Sequence, residues 1–96
     1  MSVRLVVHIT AKPGKGAELA RAFSQRAIDT RKEDGCIQFE AFVSADDPDR
    51  VAVLEHWRDQ AALDAHAQLL KTHYPPLVPE LRAELIREDY SFNRTK

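Results

Sequence analysis

The stretch that decides the fold is Val3-Arg4-Leu5-Val6-Val7-His8-Ile9-Thr10-Ala11, followed at once by Lys12-Pro13-Gly14. Apolar residues occupy every odd position from 3 to 11, and a period of two is typical of a β-strand with one buried face. Proline offers no N–H to a strand ladder and glycine permits turn dihedrals. The first strand is therefore predicted to end at Lys12-Pro13-Gly14.

The next stretch, residues 16–33, changes to the spacing of an amphipathic helix. Apolar and small residues recur there at intervals of three and four, which predicts a helix with one face on a core. Gly35 is well placed as the residue just past its end. The stripe consists of Leu19, Ala22, Phe23, Arg26, Ala27 and Thr30.

Alternation returns in residues 36–44 and again in residues 51–57, with a turn at residues 45–49 between them. This pattern predicts two further strands joined by a tight connection. The expected inward positions are Ile37, Phe39, Ala41 and Val43 on the second strand, and Val51, Val53, Glu55 and Trp57 on the third.

A second helix is predicted after Asp59, which can accept a hydrogen bond at its start. Its inward stripe holds Ala62, Leu63 and His66. The stretch Tyr74-Pro75-Pro76 interrupts regular structure, and Leu77, Val78 and Leu81 suggest a short helical turn that Pro79 limits. Residues 84–92 read as a fourth strand, and residues 93–96 as a frayed tail.

The resulting order, β-α-β-β-α-β, predicts an α+β protein with the ferredoxin-like fold, formed by residues 1–96 as one domain. Both helices should cover one face of a four-stranded antiparallel sheet. The opposite face carries several apolar side chains, which is typical of a surface that meets a partner. We therefore expect a homodimer through this open sheet face. The apolar side chains concerned are Val6, Phe42, Leu54, Ile86, Tyr90 and Phe92.

Composition narrows the classes of protein. The net charge is −1 and the basic residues are scattered, so no nucleic-acid or anionic-membrane partner is expected. No apolar run approaches the ~20 residues that span a bilayer, and no leader segment is apparent at the start. The single cysteine, Cys36, excludes an internal disulfide. These features predict a cytoplasmic protein.

Five short motifs occur in a particular order along the chain. They are Ala11-Lys12-Pro13-Gly14, Glu33-Asp34-Gly35-Cys36, Glu55-x-Trp57-x-Asp59, Ala61-Ala62-Leu63-x-x-His66 and Thr72-His73-Tyr74. In this order and spacing they resemble the antibiotic biosynthesis monooxygenase (ABM) family, whose characterised members oxidise phenolic or quinol substrates without metal or flavin. The resemblance implies a dimeric α/β barrel and a substrate pocket between the helices and the sheet.

Chemistry of this kind requires a base and a dry pocket, because a deprotonated quinol can pass an electron to oxygen. Histidine suits the base, since its unperturbed pKa of ~6.5 is close to working pH. His66 on the inward stripe and Glu55 are the predicted catalytic residues. The predicted substrate-binding residues are Trp57, His73, Tyr74 and Phe23.

Three of these residues also have a structural interpretation. Trp57 can be core packing, His66 a hydrogen-bonded structural histidine, and Glu55 the partner of a backbone N–H or of an arginine such as Arg26. His8 and His56 fall on the opposite face and are interpreted as dimer-interface residues. A small aromatic substrate is the expected ligand.

No metal or cofactor is expected. The histidines show no metal-ligand spacing, glycine-rich nucleotide motifs are missing, and Cys36 is interpreted as a small buried hydrophobe. Haem-degrading relatives use an asparagine in the first strand, a tryptophan in the second helix and an axial histidine. The corresponding positions here offer His8 or Thr10, His66, and a site near Val78, which argues against haem degradation.

Three functions remain open at this point. The first is a cofactor-independent monooxygenase acting on a quinol-like or polyphenolic small molecule. The alternatives are a small-molecule isomerase on the same scaffold and a non-catalytic dimeric ligand-binding protein. Glu55 or His66 facing an open cavity would favour either enzyme, whereas a space filled by Phe23, Leu63, Trp57 and Leu77 would favour the binding protein.

Overall fold

The structure is a computed structural model that describes residues 2–77 and 79–90. The predicted order of elements is confirmed, with one short 3-10 turn, Pro79–Leu81, before the last strand. The elements are β1 (Val3–Ala11), α1 (Gly16–Thr30), β2 (Cys36–Val43), β3 (Arg50–Trp57), α2 (Gln60–Thr72) and β4 (Arg82–Tyr90).

The four strands form one antiparallel sheet in the order β2-β3-β1-β4. β1 is central, and its Val7 lies opposite Val53 on one side and Arg87 on the other. Odd-numbered residues of β1 and β3 are buried beneath the helices, as strict alternation requires. The ferredoxin-like fold predicted from the sequence is thereby confirmed.

Helix α1 packs closely on the turn before β3. A Cβ added at Gly16 would overlap the backbone carbonyl of Pro48, so glycine allows the helix to start against this turn. The helix ends at Thr30, three residues earlier than predicted. The next amides bond only three residues back, with Lys32 N–H donating to the Asp29 carbonyl and Glu33 N–H to that of Thr30, at 3.0 Å each. Glu33 therefore belongs to a turn, not to the helix.

Strand β2 departs from the predicted alternation at its start. The pairing with β3 shifts between Cys36 and Gln38, so that Ile37 is an extra residue opposite no partner. The prediction that Ile37 shares the inward face with Phe39 is wrong, because Ile37 is 58% exposed whereas Phe39 is buried. Cys36, opposite Trp57, takes the inward position instead.

Helix α2 begins as the sequence predicts. The Asp59 side chain accepts a 2.9 Å hydrogen bond from the Ala62 N–H, which satisfies one of the free amides of the first turn. Ala62, Leu63 and His66 are its buried residues. Strand β4 starts at Arg82, two residues earlier than predicted, while Phe92, Val78 and residues 93–96 lie outside the described residues.

The core lies between the helices and the sheet. Trp57, Leu19 and Ala27 are fully enclosed there, and burial of each large apolar side chain contributes about 1.5–3 kcal/mol. The opposite sheet face is partly apolar, as predicted: Phe42 is 43% exposed, Ile86 51% and Tyr90 47%. Val6 and Leu54 on that face are half-buried.

Candidate active site

His66 is buried on the inward face of α2 and is held by a carboxylate. Its Nδ1 lies 2.9 Å from Oε1 and 3.1 Å from Oε2 of Glu33, and only 5% and 8% of the two side chains are exposed. A carboxylate accepts hydrogen bonds, so the Nδ1 proton is the donor. The ring nitrogen that remains for a ligand is Nε2.

Tyr74 completes this group from the end of α2. Its hydroxyl donates to Glu33 Oε2 at 2.9 Å, and its ring lies under the Arg26 guanidinium at 4.7 Å. Burial, followed by the hydrogen bond to Glu33, raises the pKa of the Tyr74 hydroxyl, which therefore stays a donor at neutral pH.

Trp57 and Glu55 support His66 from the sheet. The Trp57 indole N–H donates to Glu55 Oε1 at 2.9 Å, and the Trp57 and His66 ring centroids are 4.6 Å apart with 31° between the planes. Burial raises the pKa of the Glu55 carboxyl, and the Trp57 hydrogen bond and the nearby His66 and Arg87 oppose that rise in part. Arg26 is not the partner of Glu55, since it donates to the Pro75 carbonyl at 2.6 Å.

An open cavity of about 360 Å³ lies between the helices and the sheet, and both His66 and Glu55 line it. A volume of this size is within the range of small-molecule sites. The space is thus not filled by core side chains, which favours the two enzyme functions over the simple binding protein. Its wall is formed by Val7, Phe23, Arg26, Phe39, Val53, Glu55, His66, Leu70, Pro75, Pro76, Leu77, Pro79, Arg82, Leu85 and Arg87.

Only one of the four predicted substrate-binding residues lines the cavity. Phe23 of α1 lines the cavity. Trp57 is fully buried behind His66, and Tyr74 is half-buried behind Glu33. Both contact residues of the site, but neither lines the cavity. His73 is exposed at the end of α2. The substrate-binding roles of these four residues stay predictions.

Glu33 is a residue of the site that sequence reasoning missed. Its position in the motif Glu33-Asp34-Gly35-Cys36 was the available signal, but a helix running to residue 33 would have placed it in the last turn. Because α1 ends at Thr30 and Gly35 turns the chain with a φ of 85°, the Glu33 side chain instead reaches α2. Arg82 and Arg87 of β4 were also missed.

Other reactive groups do not gather around the cavity. Burial raises the pKa of the Cys36 thiol to about 11, with the Glu33 and Glu55 charges adding to the effect, so the thiol stays protonated. Within residues 2–77 and 79–90, no group of three or more His, Cys, Asp or Glu side chains is arranged to hold a metal ion.

No helix in the described part of the chain is both long and apolar enough to cross a membrane.

The fold and this site define a class of small α+β proteins with a pocket between helices and sheet. Residues 2–73 match the family described as Antibiotic biosynthesis monooxygenase, and the chain belongs to this family. A search of curated proteins found no significant match.

Several solved structures are similar to this chain. A protein from Shewanella oneidensis is 34% identical with a TM-score of 0.81, over 93% of this chain and 88% of that one. A protein from Pseudomonas aeruginosa is 26% identical with a TM-score of 0.78, over 93% and 91% of the two chains. A Nitrosomonas europaea protein, provisionally named an antibiotic biosynthesis monooxygenase, has a TM-score of 0.81 at 24% identity over 93% and 88%, and shows the fold alone.

Proposed function

We propose that this protein is a monooxygenase that needs no cofactor and oxidises a quinol-like or polyphenolic small molecule with O2. His66 is the general base of this proposal. The observation that carries it is the position of His66: the imidazole lines the 360 Å³ cavity while Glu33, away from the cavity wall, bonds its Nδ1.

The hydrogen bond from Nδ1 to Glu33 selects one tautomer of the imidazole. With the proton on Nδ1, the Nε2 lone pair is free to accept a proton from a substrate hydroxyl. The imidazolium that forms is then stabilised by the Glu33 carboxylate at 2.9 Å, as in a histidine–carboxylate pair that supports a general base. Tyr74 and Trp57 hold Glu33 and His66 in place.

Deprotonation makes the substrate electron-rich enough to reduce oxygen. The phenolate passes one electron to O2, and the substrate radical and superoxide combine at a ring carbon. The peroxide anion takes the proton back from the His66 imidazolium, and loss of water from the resulting hydroperoxide gives the product. A quinol and O2 thus yield a hydroxyquinone and water, and the substrate supplies all the electrons.

Glu55 and Phe23 complete the proposed site. Glu55 uses Oε1 for the Trp57 N–H, so Oε2 can accept a hydrogen bond from a second substrate hydroxyl. Phe23, with Phe39 and Leu85, offers an apolar wall for a flat ring. Such a wall excludes water from the reacting oxygens.

A homodimer through the open sheet face is part of the proposal. Exposed Phe42, Ile86 and Tyr90 on this face form the apolar surface of the predicted interface.

The test is oxygen uptake by the purified protein with a panel of reduced quinones and anthrones, using heat-denatured protein as the control. We expect uptake with at least one quinol, one O2 per product, and labelled oxygen in the product from ¹⁸O2. Conversion of a substrate without O2 uptake would establish the isomerase instead. Tight binding without any conversion would establish the binding protein.

A further inference from the structure

The charges that line the cavity are unbalanced. Three arginines face it, Arg26, Arg82 and Arg87, against the single carboxylate of Glu55. The remainder of the wall is mainly apolar. Positive charge enclosed by an apolar wall gives a field that attracts anions more strongly than the same charge on an open surface.

Strand β4 places two of these arginines on the cavity side. Arg87 lies opposite Val7 and Arg82 opposite Ala11, and both of these β1 residues are buried under the helices. The two arginines are five residues apart along an extended strand, which separates their Cα atoms by roughly 16 Å. They therefore mark opposite ends of the cavity.

The end near His66 is close to electrical balance. Arg87 donates two hydrogen bonds of 2.6 Å to the Asp89 carboxylate, and the Glu55 carboxylate lies near it. At this end, a neutral phenol or quinol ring would meet His66 and Glu55 without a strong net charge.

Arg26 and Arg82 have no such balance. Arg26 donates one hydrogen bond to the Pro75 carbonyl, which carries no net charge, and its other N–H groups remain available. In residues 2–77 and 79–90, neither Arg26 nor Arg82 forms an ion pair with an acidic side chain. Guanidinium groups in this state are suited to hold a planar carboxylate through two parallel hydrogen bonds.

We propose that the ligand of this cavity is an anionic aromatic molecule, a quinol-type ring bearing a carboxylate. The carboxylate is held by Arg82, the charge of Arg26 adds to the positive field of the cavity, and the ring hydroxyl points to His66 Nε2. The placement of the hydroxyl rests on the function proposed above, whereas the anion site stands on the arginines alone.

The experiment compares two ligands of equal shape, 1,4-dihydroxy-2-naphthoate and its neutral 2-carboxamide, by anaerobic calorimetry. We expect the carboxylate to bind at least about tenfold more tightly, because hydrogen bonds between charged groups are about twice as strong as neutral ones. Arg82→Gln and Arg26→Gln should each reduce this preference, and Arg82→Lys should keep part of it.

Arg21→Gln is the matched control. Arg21 is exposed on α1 and does not line the cavity, so this variant should bind both ligands as the unmodified protein does. Thermal unfolding of each variant shows that it is folded. Equal affinity of the unmodified protein for both ligands would overturn the proposal, and so would an unchanged preference in folded Arg82→Gln and Arg26→Gln.

Oxygen uptake separates this proposal from the proposed function. An arginine-dependent preference for the carboxylate without oxygen uptake would support the anion site and contradict the monooxygenase. Oxygen uptake with both ligands and no preference in binding would support the monooxygenase and contradict the anion site.

Discussion

The imidazole of His66 and the carboxylate of Glu33 form a buried hydrogen-bonded pair, with Nδ1 2.9 Å from Oε1. The two residues are 33 positions apart and meet only because the turn after α1 faces the middle of α2. Nδ1 is thus hydrogen-bonded within the protein, and Nε2 remains available to a ligand in the cavity. This arrangement is that of an oriented base, and it makes distinct predictions for each partner.

The first prediction concerns His66 itself. His66→Ala removes the only imidazole that lines the cavity within the described residues, so turnover of the best quinol should fall by about 10²–10⁴-fold. His73→Ala tests the alternative base, since His73 is exposed at the end of α2 and does not line the cavity. The measurement is the steady-state rate of both folded variants. Loss of rate in His73→Ala with normal turnover in His66→Ala would show that the base is His73 and not His66.

The second prediction concerns the orientation of the base. Glu33→Gln replaces an acceptor by an amide that can donate to Nδ1, which moves the imidazole proton to Nε2 and blocks base catalysis. We expect kcat to fall by about 10²-fold or more, while KM for the quinol changes little. Tyr74→Phe removes one hydrogen bond to Glu33 and should have a smaller effect, below about tenfold.

Glu18→Gln serves as the control for Glu33→Gln, because Glu18 is exposed in the first turn of α1. A structural role for Glu33 would lower the stability of Glu33→Gln and leave kcat of the folded fraction unchanged. That outcome, established by thermal unfolding together with active-site titration, would contradict the positioning role.

Local sequence patterns predicted much of the fold. Alternation over residues 3–11 gave β1 with its observed bounds, and Asp59 caps α2 as its residue type suggests. The error at Ile37 has a physical cause: a β-bulge inserts one residue, and an apolar β-branched residue at that point continues the alternation in sequence while the pairing with β3 shifts.

The site was predictable only in part, because its residues meet through tertiary packing. His66 was identifiable from its place on an apolar helical stripe. Its partner Glu33 could not be identified from the sequence, because α1 ends three residues earlier than the periodicity indicates. The contribution of the β4 arginines to the cavity could not be predicted either. It is set by the register of β4 with β1, which decides the face of every side chain and is not encoded in β4 alone.

The third prediction concerns Glu55 and pH. Burial raises the pKa of its carboxyl above the ordinary value of 4.5, so the folded protein binds more protons at this site than the unfolded chain does. Stability therefore falls as the pH rises from about 4.5 through the raised pKa, by at most about 1.4 kcal/mol per pH unit within that window. Glu55→Gln, which can still accept from Trp57, should lack this component.

The measurement is the unfolding free energy of both proteins by urea titration from pH 4 to pH 8. The difference should grow in favour of Glu55→Gln as the pH rises through that window and then stay constant. Glu40→Gln, an exposed residue of β2, is the control. A difference between Glu55→Gln and the unmodified protein that is independent of pH would contradict the assignment.

The last prediction concerns the open sheet face. If two copies pack through Phe42, Ile86 and Tyr90, light scattering at micromolar concentration should give about twice the chain mass of 10.9 kDa. A permanent interface should bury more than ~2,000 Å² in total. Ile86→Lys places a charge on this face and should produce monomers, because an unpaired charge is unfavourable in an apolar interface. Ile28→Lys alters an equally exposed apolar residue, 51% in both cases, on α1 away from the sheet face, and should leave the dimer intact. A monomeric mass for the unmodified protein, or dissociation by Ile28→Lys and not by Ile86→Lys, would show that the sheet face is not the interface.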